Sequence, residues 1–138
     1  MKRYKAIRLF AVVILIIAGT NLFAGENKEV KPFKEVFELS TLASLNSDNL
    51  GVAESSLFVT LELKDRYPGE DYSKVVNKLD ELARDGSTLS IRYKAQLANI
   101  YYKYYYLFAD ISIGNAESPD MYFKIIADRI AQSSFVSN

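Results

Sequence analysis

The sequence predicts an all-α fold: a short stack of antiparallel helical hairpins with about five helices. Three observations lead there. From Pro32 onward the apolar residues recur at three- and four-residue steps, the period of a helix that buries one stripe. Asn46-Ser47-Asp48-Asn49, Tyr67-Pro68-Gly69, Asp85-Gly86 and Ser118-Pro119-Asp120 punctuate these stretches with helix-ending and helix-starting residues, and no strand pair with hairpin turn chemistry competes. Finally, the pattern Leu42-x-x-Leu45-x-x-Asp48 returns as Leu79-x-x-Leu82-x-x-Asp85 at an offset of 37 residues, a spacing typical of stacked helix pairs.

Taken in order, Phe33, Val36, Phe37, Leu39, Leu42, Ala43 and Leu45 define a first amphipathic helix. Residues 46–49 end it, because their side chains bond the local backbone. A second helix carries Val52, Ser56, Val59 and Leu63 with interleaved Leu57 and Phe58, and stops at Tyr67-Pro68-Gly69. A third spans residues 71–84, with Val75, Val76, Leu79, Leu82 and Ala83 on one side and Lys74, Asn77, Lys78 and Glu81 on the other. Gly86 stands where a glycine that ends a helix is expected. A fourth and longest helix is predicted over residues 88–111. Ser118 as cap, Pro119 at the first helical position and Asp120 at the positive end of the dipole start a fifth, expected to bury Met121, Ile125, Ile126 and Ile130.

Two further echoes extend the repeat. Val52-Ala53-Glu54-Ser55-Ser56 matches Ile91-Arg92-Tyr93-Lys94-Ala95 at an offset of 39, and Tyr72-Ser73-Lys74-Val75-Val76 matches Tyr122-Phe123-Lys124-Ile125-Ile126 at an offset of 50. The succession Leu79-x-x-Leu82-x-x-Asp85, a short loop, then Ile91-Arg92-x-x-Ala95 resembles HEAT-like helical repeats over roughly residues 39–109. The first unit departs from that pattern, with Ala53 where Arg would stand. The resemblance implies about two and a half hairpins, with helix five as the second helix of the last pair. A tetratricopeptide-like hairpin is the alternative, although the Trp and Gly of its fuller motif are absent. So short a stack is closer to a bundle than to an extended solenoid.

Ahead of this domain, Lys2, Arg3, Lys5 and Arg8 precede an uninterrupted apolar run over residues 9–18, and a short segment ending in Ala24 leads to charged residues. That order is the pattern of a secretory signal peptide. The run would span only about 15 Å as a helix, short of the roughly 20 residues a membrane crossing needs. Residues 1–24 are therefore expected to be a signal peptide, 25–31 a polar leader, and 32–138 a single helical domain, periplasmic or secreted. Contact with a membrane is expected only if the signal segment stays uncleaved.

The signal segment holds four of the 17 basic residues and none of the 17 acidic ones, which leaves 13 against 17 and a net charge of −4. A mildly acidic domain without clustered Lys and Arg gives no reason to expect nucleic acid. The chain has no Cys, so no disulfide framework supports it and burial must supply its stability. With no His either, Ser-His and Cys-His dyads and the usual zinc-ligand sets are excluded. No Gly-x-Ser-x-Gly or phosphate-binding glycine loop is present. Neighbouring acids such as Glu70 with Asp71 or Asp80 with Glu81 point apart on a helix and read as solvated faces. Asp65, Glu70 and Asp71 lack the spacing of a calcium loop. Neither an enzyme nor a cofactor is expected.

The chemistry that does stand out is aromatic. Tyr101-Tyr102-Lys103-Tyr104-Tyr105-Tyr106 lies within the fourth helix. On a helical projection Tyr93, Leu97, Ile100, Tyr101, Tyr104, Phe108 and Ile111 share one face, and Ala95, Ala98, Tyr102, Tyr106 and Ala109 a second. Such rings either pack between helices or offer a large, rigid surface with polar tips. Tyr102, Tyr105 and Tyr106, farthest from the main stripe, are the candidate interaction surface. The function expected from these features is a non-enzymatic exported module that binds an unidentified protein partner; the alternative is a carrier holding an apolar or aromatic small molecule between its helices.

Overall fold

The computed structural model describes residues 32–136, so the expected signal segment and leader lie outside the described residues. Five α-helices dominate: α1 (Phe33–Leu45), α2 (Leu50–Arg66), α3 (Ser73–Asp85), α4 (Leu89–Lys103) and α5 (Pro119–Val136). Two 3-10 turns, Tyr105–Leu107 and Ile113–Asn115, lie between α4 and α5. There is no strand among the described residues.

Local chemistry sets the helix starts by satisfying donors that have no intrahelical acceptor. Asn49 Oδ1 accepts from the backbone N–H of Gly51 at 3.0 Å and of Val52 at 3.2 Å. Thr88 Oγ1 accepts from Ile91 at 3.1 Å, and Ser118 Oγ from Met121 at 3.2 Å. Asp71 Oδ1 takes the Ser73 N–H at 2.9 Å.

Residues 46–49 and 86–88 are connections so short that they can only reverse the chain, so α1 packs antiparallel to α2 and α3 antiparallel to α4. The second pair then stacks on the first, with α1 beside α3 and α2 beside α4. Polar contacts fix the register: Glu54 meets Ser90 and Lys94, the Thr60 carbonyl meets Tyr102, and Asp65 meets Tyr105. Positions on α2 and α4 rise together, so these helices run parallel. Lys34, reaching the Asp71 carbonyl at 3.0 Å and the Tyr72 ring at 4.7 Å, sets the same register for α1 and α3. Leu45, Leu57, Leu61, Val75, Leu79, Ile91, Ala95 and Ala98 fill the core between the pairs.

The last helix runs in the same general direction as α4: Lys94 binds Asp120, Tyr101 meets Tyr122, and Arg129 reaches Leu107 O and Asp110. A parallel neighbour needs a long return, which residues 104–118 supply with Phe108 and Ile113 buried as anchors. An edge-on contact of 6.2 Å between Phe58 and Tyr122 also ties α5 to α2.

Three expectations are corrected. The fourth helix ends at Lys103 rather than 111, because burying Phe108 against Tyr101 (ring centroids 5.2 Å apart) requires the chain to turn. Arg129 Nη1 then donates to the Leu107 carbonyl at 2.9 Å. In α5 the buried residues are Tyr122, Phe123 and Ile126, whereas Met121 is exposed and Ile125 and Ile130 are half-buried. In α2, Val52 is exposed and Ala53, Ser56, Leu57, Thr60, Leu61 and Leu63 are buried. No helix among the described residues is long and apolar enough to cross a membrane.

Candidate functional site

The break after Lys103 separates the tyrosines that a continuous helix would have placed together. Tyr102 is only 7 % exposed. Its hydroxyl donates to the Thr60 carbonyl at 2.6 Å and its ring meets Tyr72 edge-on at 5.3 Å. Tyr105 is half-buried and donates to Asp65 Oδ1 at 3.2 Å. Tyr106 is 74 % exposed, and its ring meets that of Tyr104 at 6.5 Å between centroids. The structure therefore does not unite Tyr102, Tyr105 and Tyr106 on one surface: the first is core, the second a wedge, and the third is open.

The interior rings form a connected cluster. Tyr101 is fully buried among Tyr105, Phe108 and Tyr122. Burial drives the Tyr101, Tyr102 and Tyr72 hydroxyls well above their ordinary pKa and pushes Tyr122 up to about 12. These phenols stay protonated donors at physiological pH. Beside them lies Lys64, whose Nζ sits over the rings of Tyr72, Tyr102 and Tyr105 at 5.1, 5.8 and 5.4 Å and donates to the Pro68 carbonyl at 2.8 Å. An ammonium facing three rings is a cation–π arrangement. Burial holds the Lys64 pKa below its ordinary value. It ties the C-terminal ends of α2 and α4 to the start of α3, a role the sequence did not signal.

At the opposite end, where α2, α4 and α5 begin, a shallow cleft of about 250 Å³ is lined by Gly51, Glu54, Ser55, Phe58, Lys94, Pro119, Asp120 and Phe123. Lys94 Nζ bridges Glu54 Oε1 at 2.7 Å and Asp120 Oδ1 at 2.6 Å. Burial opposes the Lys94 charge, but the bonds to Asp120 and Glu54 outweigh it and hold its pKa above normal. The Glu54 carboxyl is correspondingly held below its ordinary value by Lys94 and Ser90. With both acids engaged by one ammonium, the cleft reads as a clasp between three helices. Its volume is below the roughly 300–1,000 Å³ of small-molecule pockets.

Elsewhere, Asn99 Nδ2 donates to Asp80 Oδ1 at 2.8 Å, while the buried Asn99 Oδ1 has no hydrogen-bond partner. Among the described residues no group of three acids could hold a metal ion.

What remains open is one side of α4. Leu89 is 77 % exposed, Tyr93 57 % and Tyr104 48 %, with Ile100 half-buried between them and Gln96 and Lys103 alongside. Spacings of 4 and 7 residues align Leu89, Tyr93 and Ile100 along one line of the helix, and Tyr104 is the residue that caps its end. The helical projection grouped Tyr93, Ile100 and Tyr104 with Leu97 and Tyr101; the structure divides that face, with Leu97 and Tyr101 buried, Tyr101 against Tyr122 of α5, and the others exposed or half-buried. Leu89 was missed because nothing in its immediate neighbourhood marks a leucine beside a cap as exposed.

No family model, no curated protein and no solved structure matches the chain.

Proposed function

We propose that this chain is a non-enzymatic, exported helical-repeat module that binds another protein through the open strip of α4. The observation that carries the reading is the line Leu89, Tyr93, Ile100, Tyr104, continued by Tyr106. Helix faces left apolar at the edge of a stack mark interaction sites more often than scattered surface residues do, and tyrosine is enriched at such interfaces. The pairing of first helix beside first and second beside second supports a degenerate HEAT-like repeat. The caps Asn49 and Thr88, 39 residues apart, start its second helices at equivalent points. Export rests on the pattern of residues 1–24.

The test is affinity capture from the native envelope with the wild-type chain and with Leu89→Glu and Tyr93→Glu. Both substitutions fall on exposed positions and should leave the fold intact. A partner retained by the wild type and lost with either variant is expected. Recovery that is indifferent to both variants, or a stoichiometric small molecule in native mass spectrometry with no protein partner, would replace this reading with the carrier one.

A further inference from the structure

The repeat within the chain carries information about what the open strip receives. On α2, Glu54, Leu57, Leu61, Lys64 and Asp65 lie on one face. Glu54 and Lys64 make contacts to α4, Asp65 meets Tyr105 just beyond its end, and Leu57 and Leu61 are fully buried. That is the face on which the second pair is seated. Adding the offset of 39 that relates the two second helices gives Tyr93, Gln96, Ile100, Lys103 and Tyr104 on α4. These are the residues of the open strip. Leu89 is in turn the counterpart of Leu50, which stays 46 % exposed at the edge of the seated pair. The outer side of α4 is thus the same docking face, repeated once and left without the pair that covers it in the first repeat.

The opposite end of the stack presents the complement. The side of α4 that carries Ala98 and Tyr102 toward α2 corresponds, by the same offset, to the side of α2 that carries Val59 and Leu63. There Leu63 is fully buried and Val59 half-buried, and Val52 on the same side is 41 % exposed. On the neighbouring α1, Leu39 is exposed too.

We propose that the partner of the strip is a second copy of this chain, its first helix pair seated on the α4 face of the preceding copy as α3 and α4 are seated on α1 and α2. This deepens the interaction reading and rests on it. Such an interface is heterologous, joining different surfaces, and leaves a free end on each side of every dimer, so association is open-ended. It continues internally what the fold has already built once, with the apolar strip of one copy against Val52, Val59 and Leu39 of the next.

Sedimentation equilibrium of the purified protein over a wide concentration range tests this. The wild type should show a mass that rises past the dimer without a plateau. Tyr93→Glu disables one end and Val52→Glu the other, so each alone should weaken association more than about tenfold. Mixed together, they should form a one-to-one complex that grows no further, because one intact end of each kind remains. Leu89→Glu and Leu39→Glu provide a second pair should either first variant lose its helical circular dichroism. A wild type that is monomeric throughout overturns the proposal, as does a dimer that stops growing and ignores Val52→Glu. If the wild type is monomeric while capture still yields a foreign partner sensitive to Leu89→Glu, self-stacking is refuted and the interaction reading stands. If neither association nor capture occurs, both fail.

Discussion

Replacing Gly86 with alanine adds one methyl group at the junction of α3 and α4, and the sign of its effect separates two accounts of this residue. Gly86 has φ −56° and ψ 145°, a conformation that alanine adopts freely. In open space the change would stabilise the protein by about 0.4–1 kcal/mol, by restricting the unfolded chain. The space is not open. A Cβ at Gly86 would lie 2.5 Å from the Leu82 carbonyl oxygen, 2.8 Å from Ile91 Cγ2 and 3.2 Å from Arg92 Cγ. Neither side yields easily: Leu82 O accepts the Gly86 N–H at 2.9 Å, ending α3, and Arg92 Nη1 donates to Gly86 O at 2.6 Å. Overpacking costs about 1–3 kcal/mol, and approaches of 2.5 and 2.8 Å belong to the upper half of that range, leaving a net loss of roughly 1–2.5 kcal/mol after the unfolded-state gain. For a domain of this size that is a fall in Tm of about 4–20 °C. Circular dichroism melts of Gly86→Ala beside Gly69→Ala decide it, since a Cβ at Gly69 meets nothing within 4 Å. A Tm for Gly86→Ala equal to or above the wild type would refute the close approach of α3 and α4 at this turn.

Further outcomes follow from burial. Tyr102→Ala should cost about 3–5 kcal/mol, as truncation of a buried aromatic does, whereas Tyr106→Ala should stay within about 0.5 kcal/mol of the wild type; urea titrations measure both. Burial raises the Glu62 pKa, against a smaller opposing effect of Arg66. Between the ordinary carboxyl value and the raised one the folded chain binds more proton than the unfolded chain, so this group makes stability fall as pH rises. Glu62→Gln should therefore raise the Tm at neutral pH, and the gain should shrink as pH falls toward about 4.

What the sequence revealed of this architecture was mostly local. The break at residues 46–49, the cap at Ser118, the stop at Tyr67-Pro68-Gly69 and the stripe of α3 depend on neighbours a few residues away, and each appears where its chemistry places it. Gly86 was located correctly but for another reason: its φ is negative, and what it supplies is room. The end of α4 was hidden, because nothing in Tyr104-Tyr105-Tyr106 forbids a helix. It is the burial of Phe108 beneath Tyr101 and the Arg129 contact from a helix 22 residues on that turn the chain there. The three candidate tyrosines are separated with it, since Tyr102 and Tyr106 share a face only if the helix continues. Of that surface Tyr106 alone is open; Leu89, Tyr93 and Tyr104 become recognisable only once α5 is seen to cover one side of α4 and leave the other.

The division of the tyrosines between the interior and the α4 edge is the claim on which the rest depends, and chemical nitration of the folded protein in dilute solution, mapped by peptide mass spectrometry, tests it most directly. Tyr93, Tyr104 and Tyr106 should react first, while Tyr72, Tyr101, Tyr102 and Tyr122 stay protected until the chain unfolds. Tyr102 reacting as fast as Tyr106, or Tyr93 protected in the monomer, would contradict the account.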